Sequence, residues 1–120
     1  MLRRFEDIHA WQEARILVKT IYQLSDEGKF AKDYGLRDHM RRAAVSAMAN
    51  IVDRFVCDSN IEFARFLGIA RRSAVEVQSL LCAALDVGYI DPEHFKGHYD
   101  QAAKTKALIS VFKNAIPKKR

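Results

Sequence analysis

Apolar residues recur along this chain at three- and four-residue intervals in four separate blocks, the spacing that places side chains on one face of a helix. The first block predicts a helix over about 7–25, with Asp7 as N-cap. Its face carries Trp11, Ala14, Val18, Ile21, Tyr22 and Ser25, and Ala10, Leu17 and Leu24 repeat every seven residues on the shoulder. Asp26-Glu27-Gly28-Lys29 interrupts the pattern, and Phe30 to Asp33 reads as a connector.

The second block predicts a helix over about 34–57. Its main stripe is Leu36, Met40, Ala43, Ala44, Ala47, Ile51 and Phe55, with a second stripe at Val45, Ala49, Val52 and Val56. A surface helix in a small bundle needs one apolar arc. The second stripe therefore implies cover from another side, by a neighbouring helix or another subunit.

After a short break near Cys57–Ser59, the third helix is expected over 60–87, with Ser59 as N-cap and Glu62 at the third position of a capping box. Phe63, Leu67, Ala70, Ala74, Val77, Leu81 and Leu85 form its core stripe. Phe66, Ile69, Ser73, Leu80 and Ala84 widen it, and Gly88 stops the helix. Asp91-Pro92 is the clearest start signal, an N-cap followed by proline at the first helical position. A fourth helix over 92–116 follows, with Phe95, His98, Ala102, Thr105, Ile109, Phe112 and Ile116 in one repeat. Pro117 ends it and opens a basic tail over 117–120.

Four amphipathic helices with short connections predict an all-α, antiparallel up-down-up-down four-helix bundle. Small residues such as Ala43, Ala47, Ala70 and Ala74 allow close helix approach. A length of 120 residues fits one domain, and 49% hydrophobic content supports a core without staples. No apolar run nears the roughly 18–20 residues of a membrane span. The N-terminus turns acidic at Glu6-Asp7 before any apolar stretch, so no secretory leader is expected. Cys57 and Cys82 form no CxxC pair and are read as reduced core or near-core thiols of a cytoplasmic protein.

The formal charge of +5 is unevenly spread: +2 over 1–57, −1 over 58–90 and +4 over 91–120. An excess of this size permits nucleic-acid binding without demanding it. The sharpest candidates are Arg41 and Arg42, with Arg37 one turn earlier. Arginine at a groove edge contacts phosphates and stacks on unpaired bases. The competing reading pairs them with Asp38, Glu13 or carboxylates of another helix. Arg65 and Arg72 lie on the polar face of the third helix, where Arg72 can instead pair with Glu76 four residues on. Lys118, Lys119 and Arg120 add nonspecific phosphate attraction or form a solvated tail.

His94 and His98 have the spacing of metal ligands but no matching third ligand, so they are read as core-edge histidines and no metal is expected. Asn50 is expected to hydrogen-bond across the bundle and hold its register. No P-loop, nucleophile elbow or paired-carboxylate site appears. No catalytic residue, cofactor or enzymatic activity is expected.

Several ordered segments carry a resemblance. They are Trp11-Gln12-Glu13-Ala14, Gly35-Leu36, Arg41-Arg42-Ala43-Ala44-Val45-Ser46, Ala49-Asn50-Ile51, Glu62-Phe63-Ala64-Arg65-Phe66-Leu67-Gly68-Ile69-Ala70 and Val87-Gly88-Tyr89-Ile90. With these the chain resembles the small bacterial S23 ribosomal protein, or 23S rRNA intervening-sequence, four-helix-bundle family. It departs where the family usually reads Asn-Ile-Ala-Glu-Gly and this chain has Asn50-Ile51-Val52-Asp53-Arg54, and where Arg72-Ser73 replaces a common Gly-Ser. Without that glycine the second helix is expected to run past Arg54.

The resemblance implies a noncatalytic, RNA-associated protein linked to 23S rRNA or the ribosome. A related branch, the accessory proteins of diversity-generating retroelements, forms pentameric barrels that bind nucleic acid and a reverse transcriptase, which implies a homo-oligomer, pentamer preferred. Arg37, Arg41, Arg42, Arg65, Arg72, Lys118, Lys119 and Arg120 are then the RNA-contact candidates. Val45, Ala49, Val52, Val56, Phe66 and Ile69 are the interface candidates. The alternative is a scaffold that recruits another protein through its apolar helix faces.

Overall fold

Helix α1 (His9–Leu24) is held against α2 (Tyr34–Ala49), α2 against α3 (Asn60–Asp86), and α3 against α4 (Pro92–Asn114), which closes back on α1. The computed structural model describes residues 4–117, apart from the side chains of Arg54 and Phe55, so Phe55 of the expected stripe and the tail at 118–120 lie outside the described residues. This is the all-α up-down-up-down bundle that the periodicity predicts. Its longest helix, α3, has 27 residues, about 40 Å at the α-helical rise. That accounts for most of the 47 Å long axis of the molecule.

Two apolar clusters fill the interior. Leu17, Ile21, Phe30, Met40, Val77 and Leu81 make the first. Ile8, Ile51, Phe63, Leu67 and Ile109 make the second, where Phe63 meets Phe112 edge-on at 5.6 Å. Alanines of all four helices sit between them and let the backbones approach: Ala14, Ala44, Ala74 and Ala102 are fully buried.

Local signals hold at most helix ends. Asp33 accepts from the Leu36 amide at 3.2 Å, Ser59 from Glu62 at 3.1 Å and Asp91 from His94 at 2.8 Å. At the end of α3, Tyr89 N–H reaches Ala84 carbonyl at 2.9 Å and Gly88 N–H reaches Leu85 at 3.0 Å. This is a Schellman closure, and it needs the left-handed backbone that Gly88 supplies at φ 83°. Tyr89 then donates its hydroxyl to Asp33 at 2.8 Å, tying the end of α3 to the start of α2.

Several expectations need correction. Helix α1 starts at His9, because Phe5–Asp7 forms a 3₁₀ turn and Ile8 is extended, with no side-chain cap from Asp7. Ile8 is buried by that bend. Its burial outweighs a cap worth about 1 kcal/mol. The buried stripe of α1 is Ala10, Ala14, Leu17 and Ile21, the expected shoulder included, while Tyr22 stays exposed.

Helix α2 stops at Ala49 and does not run past Arg54. The Asn50 carboxamide donates back to the Ser46 carbonyl at 2.9 Å and to its hydroxyl at 3.1 Å. A polar side chain bonded in this way competes with continued helix. Ile51 then turns inward to full burial and Val52–Phe55 closes as a 3₁₀ turn. Val52 and Val56 are therefore not part of an α2 stripe. Asn50 does not bridge the bundle either. The polar link to α3 at this level of α2 is Ser73 to Ser46, at 2.8 Å.

Within the α3 capping box, Glu62 accepts from the amide of Asp58 at 3.4 Å and not from that of Ser59. The near-core reading holds for Cys57, half-buried in the connector after the 3₁₀ turn and packed against the second apolar cluster, but not for Cys82, which is exposed.

Candidate nucleic-acid interface

An open groove runs along the outer face of α2. Tyr22 of α1 borders one side, and Asp38, Arg41, Arg42, Val45, Ser46 and Asn50 supply the rest. Asp38, Arg41, Arg42, Val45, Ser46 and Asn50 fall at i, i+3, i+4, i+7, i+8 and i+12, so one face of α2 and its C-cap presents them. The groove encloses about 670 Å³.

Arg41 is anchored within the protein. Its Nε donates to the Ser25 hydroxyl at 2.8 Å, its Nη2 to the Tyr22 carbonyl at 3.3 Å, and its guanidinium carbon stands 4.5 Å from the Tyr22 ring centre. Ser25 is fully buried and passes its own proton to the Ile21 carbonyl at 2.6 Å. The Asp26 carboxylate is 4.0 Å away and largely solvated. Arg37 is anchored likewise, to the Ala31 carbonyl and Asp38 at 2.9 Å each, 4.7 Å above Tyr34.

Arg42 differs from both. It is exposed and makes no hydrogen bond or ion pair among the described residues. The adjacent arginines thus divide into one guanidinium held over an aromatic ring and one free fork.

On α3, Arg65 lies 4.9 Å over the Phe66 ring, and Arg72 is exposed without a partner among the described residues. The expected Arg72–Glu76 pair does not form. Glu76 binds His39 of α2 instead, at 2.7 Å. Lys118, Lys119 and Arg120 lie outside the described residues. Of the interface candidates, Val45, Ala49 and Val56 are exposed, Val56 most of all at 74%, while Val52, Phe66 and Ile69 are partly buried.

Sequence reasoning missed Tyr22 and Ser25 as partners of Arg41, since both lie on another helix. It also missed Trp11 with Arg15 at 5.6 Å, beside Lys19 in a second surface depression. The i, i+4 spacing of Trp11 and Arg15 is a signal that could have found that pair.

Nothing in these groups is arranged for acid–base or metal chemistry. Among the described residues no cluster of three or more His, Cys, Asp or Glu could hold a metal ion. His94 is bound to Asp91 at 2.8 Å and its pKa is raised by that hydrogen bond, whereas burial lowers that of His98. Burial and then the Glu62 carboxylate push the Cys57 thiol up, away from the thiolate a nucleophile needs. No helix among the described residues is long and apolar enough to cross a membrane.

The family model of the 23S rRNA-intervening sequence protein matches residues 6–111. Among solved structures, a protein of unknown function from the S23 ribosomal protein family of Bacteroides thetaiotaomicron superposes with a TM-score of 0.79. The two are 18% identical, and the match covers 88% of this chain and 99% of that one. At that identity the likeness speaks for the fold. No curated protein matches the chain.

Proposed function

Because the chain belongs to the 23S rRNA-intervening sequence protein family, we propose that it is a noncatalytic RNA-binding protein of the cytoplasm, associated with 23S rRNA or the ribosome and acting as a homo-oligomer. The observation that carries this reading is the free Arg42 fork beside the Arg41–Tyr22 stack in an open groove. Guanidinium groups are suited to phosphate and to base faces in different orientations, and here both orientations occur side by side. Arg72, also free, is the second phosphate contact, and Arg65 the third cation. Arg37 and Arg41 each have two of their five N–H donors bonded within the protein, so they contribute charge from guanidinium groups held in place.

The assembly is a pentamer in this reading, joined through Val56 and the neighbouring Val52, Phe66 and Ile69. Val45 lines the groove and Ala49 is exposed one turn on, so in this reading RNA and the adjoining subunit meet along one edge.

Binding of labelled 23S rRNA fragments at roughly 50 and 200 mM salt tests the proposal, with mass measured by light scattering in parallel. Binding that weakens steeply with salt and falls further in Arg42→Ala with Arg72→Ala supports it. An intact protein that binds no fragment at low salt overturns it. The second reading, a protein-recruiting scaffold, is favoured by the exposure of Val56 and Ile61. It requires partner binding that is largely indifferent to salt.

A further inference from the structure

We propose that the groove on α2 takes one unpaired nucleotide of an RNA strand, with its base stacked on the Arg41–Tyr22 pair and its phosphate on Arg42. This rests on the RNA reading above and narrows it to single-stranded RNA. Each wall of the groove supplies one part of a nucleotide's chemistry.

Arg41 has committed two of its five N–H donors, at Nε and Nη2, to Ser25 and Tyr22, which holds its planar guanidinium over the Tyr22 ring beside the groove. Such a plane, backed by an aromatic ring, is a platform for a base. Arg42 is the free fork for phosphate. Asp38, bonded to Arg37 at one end, disfavours a second phosphate there.

At the other end, Asn50 has spent its amide protons on Ser46, which leaves its carbonyl oxygen as an acceptor. The Ser46 hydroxyl accepts from both Ser73 and Asn50, which leaves its proton as a donor. One acceptor and one donor can meet the edge of an exposed base. The groove's 670 Å³ falls within the roughly 300–1,000 Å³ of small-ligand sites. A duplex hides its base faces in the stack and would meet only Arg42 here.

The test is fluorescence anisotropy with a labelled, unstructured RNA strand of roughly 10 nucleotides, free and annealed to its complement, at roughly 50 mM salt. The free strand is expected to bind about tenfold or more tighter than the duplex. Tyr22→Leu should weaken single-strand binding by roughly five- to a hundredfold with little change in salt dependence, while Tyr22→Phe retains it. Arg41→Lys keeps the charge and loses the plane, so it should weaken the single strand and spare the duplex. Arg42→Gln should reduce the salt slope by about one. Equal or tighter duplex binding, or a Tyr22→Leu protein that binds the single strand as the parent does, overturns the inference and leaves RNA binding standing. Failure to bind either form overturns the inference, and the binding of the 23S rRNA fragments then decides separately whether the RNA reading stands.

Discussion

Ser73 of α3 donates its hydroxyl to Ser46 of α2 at 2.8 Å, and Asn50 donates to the same oxygen at 3.1 Å. Ser73 is buried, so this link is made where water competes poorly. Ser73→Ala should cost about 1 kcal/mol, the net worth of such a bond. The Ser46→Ala, Ser73→Ala double variant should lose less than the sum of the two singles, because no hydroxyl is then left unpaired. Urea denaturation of the four proteins checks this, and strict additivity would show that the two serines do not interact.

Two glycines should respond in opposite directions to alanine. Gly88 holds φ at 83°, a backbone that a Cβ disfavours, so Gly88→Ala should cost about 1–2 kcal/mol. Gly97 lies inside α4 with open space where a Cβ would go, so Gly97→Ala should stabilise by about 0.5–1 kcal/mol. Thermal unfolding of the two variants gives both signs at once.

Leu67 is fully buried in the second apolar cluster, beside Phe63 and Ile109. Leu67→Ala removes that side chain and leaves a cavity, at a cost of about 2–5 kcal/mol. A denaturation midpoint close to that of the parent would mean that the cluster closes around the gap.

The two histidines of α4 should work against each other as pH changes. The hydrogen bond to Asp91 raises the His94 pKa, so its protonated form favours the fold. That contribution is full below the ordinary histidine value near 6.5 and is lost as pH rises through the raised value. Burial first, and the His94 charge second, lower the His98 pKa. The unfolded chain therefore binds that proton more readily, and stability falls as pH drops from about 6.5 toward the lowered value. His98→Gln should flatten the acid side of a melting-temperature profile. His94→Gln should remove the alkaline-side loss and also ease the acid-side loss, since it takes away the charge beside His98.

Val56 is three-quarters exposed at the end of the 3₁₀ turn that follows α2. If it packs against another subunit, Val56→Glu places a charge in that contact and should lower the mass seen by light scattering. The monomer's stability should change by less than about 0.5 kcal/mol, as at an ordinary surface site. A monomeric parent protein would remove the oligomer from the proposed function.

Most of the fold was legible in the chain because its signals are local. Ser59, Asp91-Pro92 and Gly88 act on amides within a turn of themselves, and their capping roles are found as expected. The end of α2 was misread. The resemblance drew attention to a missing glycine, while the device that stops the helix is Asn50 folding back on Ser46. Ile51, a residue of the expected stripe, still reaches full burial through the turn, so the inward pattern does not distinguish a continued helix from this stop.

The chain's own pattern specifies the number and order of the helices and most of their inward faces, because a 3.6-residue period and short connections leave few ways to bury four apolar stripes. Only the tertiary structure decided what each cation is free to do. Arg37, Arg41 and Arg42 lie within six positions of one another, yet two are bound and one is open. The bound ones find acceptors and rings at Ala31 and Tyr34 near the start of α2, and at Tyr22 and Ser25 at the end of α1. Arg42 points outward, where no acceptor among the described residues reaches it. A guanidinium's partner is set by which backbone and side-chain oxygens the packed helices bring within hydrogen-bond distance. That is a property of the assembled bundle.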